Sequence, residues 1–111
     1  MREAAVVETE GDILEEARDP NGIRVVLLRR IWLGKIVRDH PEMTHLVEAV
    51  LRTVSTPDHL EVDPVSQERK RYFTHGLGPS RWLLVVVSYE QAPARIISVF
   101  AYRKDPPSWS A

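Results

Sequence analysis

Six consecutive apolar residues, Trp82 to Val87, constrain this chain more than any other feature. A run without polar alternation must be covered on both faces, so it predicts a central strand over Trp82 to Tyr89, inside a sheet. Upstream stands a helix-breaking junction, Arg38-Asp39-His40-Pro41-Glu42. Proline keeps its predecessor out of the helical region, so His40 is expected to be extended or turn-like. Pro41 itself suits the first position of a new helix. The junction therefore holds an imidazole at a helix boundary facing the end of a sheet, where it can serve as an acid or a base.

The remaining pattern falls into place around these two features. Asp19-Pro20-Asn21-Gly22 has proline second and glycine fourth, a turn signal that joins residues 12–18 and 23–29 as a β-hairpin. From Ile31 the period becomes helical, with Trp32, Leu33, Ile36 and Val37 forming a stripe that stops at the junction. Met43, Leu46, Val47, Val50, Leu51 and Val54 then share one face of a second helix, ended by Ser55-Thr56-Pro57-Asp58. Residues 59–62 predict a short strand. Residues 68–75 alternate, with Arg69, Arg71, Phe73 and His75 on one face and Glu68, Lys70, Tyr72 and Thr74 on the other. A last strand is predicted over 95–103. The order β-β-α-α-β-β-β-β predicts an α+β domain: an antiparallel sheet with two N-terminal helices packed on one face, preceded by the hairpin. Residues 12–105 form this single domain, between a flexible acidic lead-in at 1–11 and a flexible tail at 106–111.

Composition excludes several classes of function. With no cysteine there is no disulfide, thiol chemistry or zinc–thiolate site. His40, His45, His59 and His75 lack a one-face metal-ligand spacing, so no metal is expected. No apolar run is long enough to span a bilayer, and Met1-Arg2-Glu3 opens no signal core; the expectation is a cytoplasmic protein without a membrane partner. The net charge of −1 conceals an asymmetry. Residues 1–16 carry one base and six acids, a balance of −5, whereas residues 64–104 carry seven bases and two acids, a balance of +5. A basic C-terminal half favours a polyanionic partner, although a solvated sheet face explains the charge as well.

Taken in order, several pieces form a recognisable set. They are the Asp19-Pro20-Asn21-Gly22 turn, His40-Pro41-Glu42, Thr56-Pro57-Asp58, Arg71-Tyr72-Phe73, Gly78-Pro79-Ser80-Arg81-Trp82 with its apolar run, and Ile96-Ile97-Ser98-Val99-Phe100. Across residues 19–105 this set resembles the small nuclease-fold superfamily that groups barnase, EndoU, colicin and RelE-like proteins (BECR), in its phage-associated branch. The resemblance implies a metal-independent endoribonuclease, often toxin-like, that needs no cofactor. Its partners would be RNA and a neutralising antitoxin or immunity protein. The implied reaction is attack of a ribose 2′-hydroxyl on the adjacent phosphate, which requires a base, an acid and cations to hold the extra phosphate charge.

Carried over by position, the resemblance makes His40 the acid or base. Arg71 and Lys35 would stabilise phosphate and Ser98 would orient it, with Phe100 as the aromatic beside it. Arg69, Lys70, Tyr72, His75 and Arg81 are the candidate nucleic-acid contacts. Two positions depart from the pattern: Lys35 stands where relatives often carry a second histidine, and Leu84 where they often carry a lysine. A non-catalytic binding module that kept the fold and lost the active set is therefore the alternative. Each residue also has a purely structural role open to it. His40 can cap the second helix, Arg69 to Arg71 can guard a sheet edge against aggregation, and Ser98 can pack in the core.

Overall fold

The first turn is closed by its own aspartate. Asp19 Oδ1 accepts the N–H groups of Asn21 and Ile23, both at 2.9 Å, and Gly22 N–H donates to the Asp19 carbonyl at 2.8 Å. Gly22 has φ +82°, a conformation a side chain would strain. This turn joins β1 (Ile13–Arg18) to β2 (Arg24–Leu28) in an antiparallel pair. These positions come from a computed structural model that describes residues 11–110. All of the expected acidic lead-in except Gly11 lies outside the described residues.

A helical segment over 29–39, α1, follows β2 directly. It consists of an α turn, Arg29–Ile31, a π turn, Trp32–Ile36, and a final α turn, Val37–Asp39. In the wide turn Val37 N–H reaches back five residues to the Trp32 carbonyl. His40 ends α1 at φ −135° and ψ 75°, outside the helical region, as the following proline requires. Pro41–Met43 then makes one 3₁₀ turn, and α2 spans Val47–Ser55. The sequence suits Pro41 to the first position of the second helix, with Met43 opening its apolar face. The 3₁₀ turn delays it, but Met43 still packs fully buried in the same core.

The other strands are β3 (His59–Val62), β4 (Arg69–His75), β5 (Trp82–Ser88) and β6 (Ala94–Tyr102). The fold is α+β, one six-stranded sheet in the order β1-β2-β6-β5-β4-β3. Strand β5 lies between β6 and β4 with every residue buried, as its composition demands. One seam departs from the expected antiparallel pairing. Strands β2 and β6 run parallel through two residue pairs, Val25↔Ala94 and Val26↔Arg95. The sheet is therefore mixed, with the hairpin built into it beside the last strand.

The two helices cover one face. Trp32, Ile36, Met43, Val50 and Val54 pack there against Val25, Leu27, Tyr72, Leu83, Val85, Val87, Ile96 and Val99. The other face, opposite the helices, carries a smaller cluster of Phe73, Trp82, Leu84 and Val86, joined by Ile97, Tyr102 and Trp109. Residues 106–110, read from sequence as a flexible tail, rest on this face. Trp109 stands edge-on to Trp82 at 5.0 Å, and Ser108 Oγ donates to Glu61 at 2.7 Å. Burial of an indole against two aromatic neighbours holds the segment in place.

Candidate functional site

The brief β2–β6 pairing shapes the site. Beyond Arg95 strand β6 continues without β2, and α1 reaches its flank there. The register between β5 and β6 also slips: Val86 pairs with Ser98 but Val87 with Ile96, leaving Ile97 as an extra residue in a β-bulge. The Ile97 carbonyl accepts the Lys35 ammonium at 2.7 Å, and Lys35 Nζ lies 3.2 Å from Ser98 Oγ. Lys35 itself belongs to the π turn. Two local irregularities, one in a helix and one in a strand, thus meet at one cation.

His40 completes this corner. Its N–H closes α1 on the Ile36 carbonyl at 2.8 Å, and its carbonyl accepts Met43 N–H at 2.9 Å. The ring stands edge-on to Phe100, with centroids 5.7 Å apart. Nδ1 faces Glu42 Oε2 at 3.7 Å, and about a third of the side chain is exposed. Lys35, Ile36, Asp39, His40, Ser98, Val99 and Phe100 line one pocket of about 70 Å³. Several water-sized sites fit in that space, enough for a small anion. The structure therefore brings three of the four expected catalytic residues together, His40, Lys35 and Ser98, with Phe100 as a wall.

Arg71, the fourth, does not join them. It lines the neighbouring pocket of about 350 Å³ with Asp63, Leu84, Val86, Phe100, Ala101 and Tyr102, so Phe100 separates it from His40. Its guanidinium lies 5.5 Å from the Phe73 ring centre and 3.8 Å from Glu61 Oε2. Burial opposes ionisation of Glu61. Hydrogen bonds from Ser108 and His59, with the Arg71 charge, outweigh it and hold this carboxyl below its ordinary range. Leu84 forms part of this pocket, so the position where the resemblance would put a lysine does face the site but carries no charge.

The expected nucleic-acid contacts divide between the two faces. Arg69 lies on the face opposite the helices, 3.6 Å from Glu90. Its register partner Ser88 pairs in turn with Arg95, and the buried Nε–H groups of Arg69, Arg71 and Arg95 have no hydrogen-bond partner among the described residues. His75 packs on Trp82 at the far end of the sheet, where Arg81 pairs with Asp105 at 3.2 Å. Tyr72 and Lys70 lie apart from these arginines. Strand alternation turns both to the helix side: Tyr72 is fully buried, and Lys70 sits over the Tyr89 ring at 5.2 Å. The Tyr72 hydroxyl bonds that of Tyr89, which donates to Asp19 Oδ2 at 2.8 Å. Burial raises the pKa of both tyrosines, and for Tyr89 its bonds to Tyr72 and Asp19 raise it further.

Sequence reasoning missed Glu61, His59 and Ser108. Placing Glu61 opposite Arg71 requires the β3–β4 register, which no local pattern prints. Among the described residues no three His, Asp or Glu side chains are grouped to hold a metal ion, and no helix is long and apolar enough to cross a membrane. Comparison of the chain with protein-family models, curated proteins and solved structures gives no match.

Proposed function

We propose that this chain is a metal-independent endoribonuclease of the BECR type, acting on cytoplasmic RNA. The observation that carries the proposal is the convergence of Lys35 Nζ, Ser98 Oγ and the His40 ring on one pocket. In the proposed reaction a ribose 2′-oxygen attacks the adjacent phosphorus and gives up its proton, and the bond to the 5′-oxygen breaks as that oxygen takes up a proton; His40 handles one of the two transfers and solvent water the other. The products are a 2′,3′-cyclic phosphate and a 5′-hydroxyl. His40 is the proton-transfer group, the Lys35 ammonium offsets the extra phosphate charge, and the Ser98 hydroxyl fixes a non-bridging oxygen. Arg71 binds a neighbouring phosphate of the same strand from across Phe100. A toxin-like activity of this kind implies a neutralising protein partner.

A second reading has its own support. Arg71 is already paired with Glu61, and Leu84 supplies no charge, so the same face can bind RNA without cutting it. Incubating the protein with single-stranded RNA, with and without EDTA, separates the two. Cleavage to cyclic phosphate ends that survives the chelator supports the enzyme. Retained RNA binding without any cyclic phosphate product supports the binding module. Cleavage that stops with EDTA and returns with a divalent ion sinks the proposed chemistry.

A further inference from the structure

The Asn21-Gly22 pair carries a reaction of its own. A backbone nitrogen one residue after an asparagine can attack the side-chain amide carbon and close a five-membered succinimide. Glycine in the second place favours this most, since it has no side chain to crowd the attack. Both residues are exposed at the tip of the β1–β2 turn, and a side-chain carbon on Gly22 would meet no atom within 4 Å. Access therefore does not limit the reaction; the bonds of the turn do.

Those bonds bear on the nucleophile. The nitrogen attacks after losing its proton, and the Gly22 N–H is held by the Asp19 carbonyl at 2.8 Å. Asp19 Oδ1 accepts the N–H groups of Asn21 and Ile23, so the chain is pinned on both sides of the reacting peptide. Arg18 Nη1 donates to the Gly22 carbonyl at 3.1 Å. Asp19 is itself buried, at 4% exposure, and its Oδ2 accepts the Tyr89 hydroxyl at 2.8 Å. Tyr89 bonds Tyr72, which is fully buried in the core. An exposed reactive pair is thus restrained from within the core, through one carboxylate.

We propose that Asn21 is a site of spontaneous deamidation and that the Tyr72–Tyr89–Asp19 chain sets its rate. When the turn opens, the Gly22 nitrogen gives its proton to water and bonds to Asn21 Cγ. The side-chain nitrogen takes up a proton and leaves as ammonia. Water then opens the succinimide. Breaking the new nitrogen–Cγ bond leaves aspartate at position 21. Breaking the original peptide bond leaves isoaspartate, with one more carbon in the main chain. That extra carbon lengthens the span from Asp19 to Ile23, so one carboxylate oxygen no longer fits both N–H groups. Both products also add a negative charge beside buried Asp19, and neither reverts. Strand β2 pairs with β6 at Val25↔Ala94 and Val26↔Arg95, so the altered hairpin borders the strand that carries Ser98. Deamidation here is independent of the ribonuclease reading.

The test is incubation of the full chain in neutral buffer beside a free peptide of residues 19–24. Conversion is read by mass spectrometry of the tryptic peptide Asp19–Arg24, in which Asn21 is the one side-chain amide. The folded chain should convert at least about tenfold more slowly than the peptide, since hydrogen bonds must break first. Tyr89→Phe frees Asp19 Oδ2 and should speed conversion of the chain by about two- to tenfold, the net worth of one hydrogen bond. Trp82→Phe lowers stability at the other end of β5 and should leave the rate unchanged while the protein stays folded. Conversion of the unaltered chain at the rate of the peptide overturns the proposal. So does an unchanged rate in folded Tyr89→Phe protein. Equal acceleration by Tyr89→Phe and Trp82→Phe overturns it too, because the rate would then follow global unfolding and not this chain of bonds.

Discussion

His40 is bound to its neighbours mainly through its backbone, while its ring touches Phe100 and Glu42 at a partly exposed corner. Removing the ring therefore leaves the helix junction intact. His40→Ala should lower RNA cleavage by about 10²–10⁴-fold, the usual range for a general acid or base, with little change in melting temperature. A folded variant that cuts at the original rate makes His40 a structural residue only. The Tyr72–Tyr89–Asp19 chain has the opposite character, since it is buried and remote from the site. Tyr89→Phe removes the hydroxyl that donates to buried Asp19 and leaves Tyr72 without its partner. A loss of about 1–3 kcal/mol in denaturant unfolding is expected, with cleavage unaffected. The raised folded pKa values also fix a sign. Stability from these tyrosines is complete below their unfolded value of 10.0 and falls as pH rises above it, because only the unfolded chain then gives up the protons. Tyr72→Phe should flatten that alkaline decline, and an unchanged slope would show that the buried hydroxyls do not govern it.

Elements divide sharply in how far the sequence reveals them. The 3, 4, 7, 8 spacing from Met43 to Val54 reports the buried face of α2 directly, and the unbroken run in β5 reports burial on both sides. Both signals are local, and both survive folding because each residue's neighbours along the chain decide its face. The parallel β2–β6 seam is not local, so nothing in either strand announces it. The bulge at Ile97 is equally hidden, since Ile96-Ile97-Ser98-Val99 reads as ordinary strand composition. The pocket inherits this limit. His40 was legible through Pro41, and Ser98 and Lys35 through a family resemblance, but their meeting depends on the π turn and the bulge. Arg71 shows the cost of lacking register: its strand face was right, yet Phe100 and Glu61 set it apart. Deleting Ile97 tests the bulge as an element. The ladder becomes regular, Ser98 stays opposite Val86, and the carbonyl that anchors Lys35 is lost. The deletion variant should fold and cut RNA at least about tenfold more slowly, because a misplaced cation stabilises phosphate charge poorly. Full activity in a folded deletion variant would separate the bulge from the site.

Across the whole molecule, the C-terminal segment ties the sheet edge to the face opposite the helices. Ser108 and His59 both bond Glu61 Oε1, at 2.7 and 2.9 Å, while Arg71 faces the other oxygen. Trp109 packs beside them on His59 and Trp82. One carboxylate thus joins β3, β4 and residues 106–110, and its charge is what the three partners share. Its folded pKa lies below the ordinary value of 4.5. A depressed carboxyl contributes stability that is present above the unfolded pKa and lost as pH falls through the folded one. The loss should be local first, since the C-terminal segment is held by few contacts and the helix-covered core does not depend on Glu61. Acidification below pH 4.5 should therefore free the amides of residues 106–110 to exchange while those of β5 stay protected. Glu61→Gln should show fast exchange of the same amides already at neutral pH, with no further change on acidification. Hydrogen exchange read by NMR distinguishes the outcomes. Residues 106–110 that open in acid equally in both proteins, or that never open before β5, would show that Trp109 packing alone holds the segment.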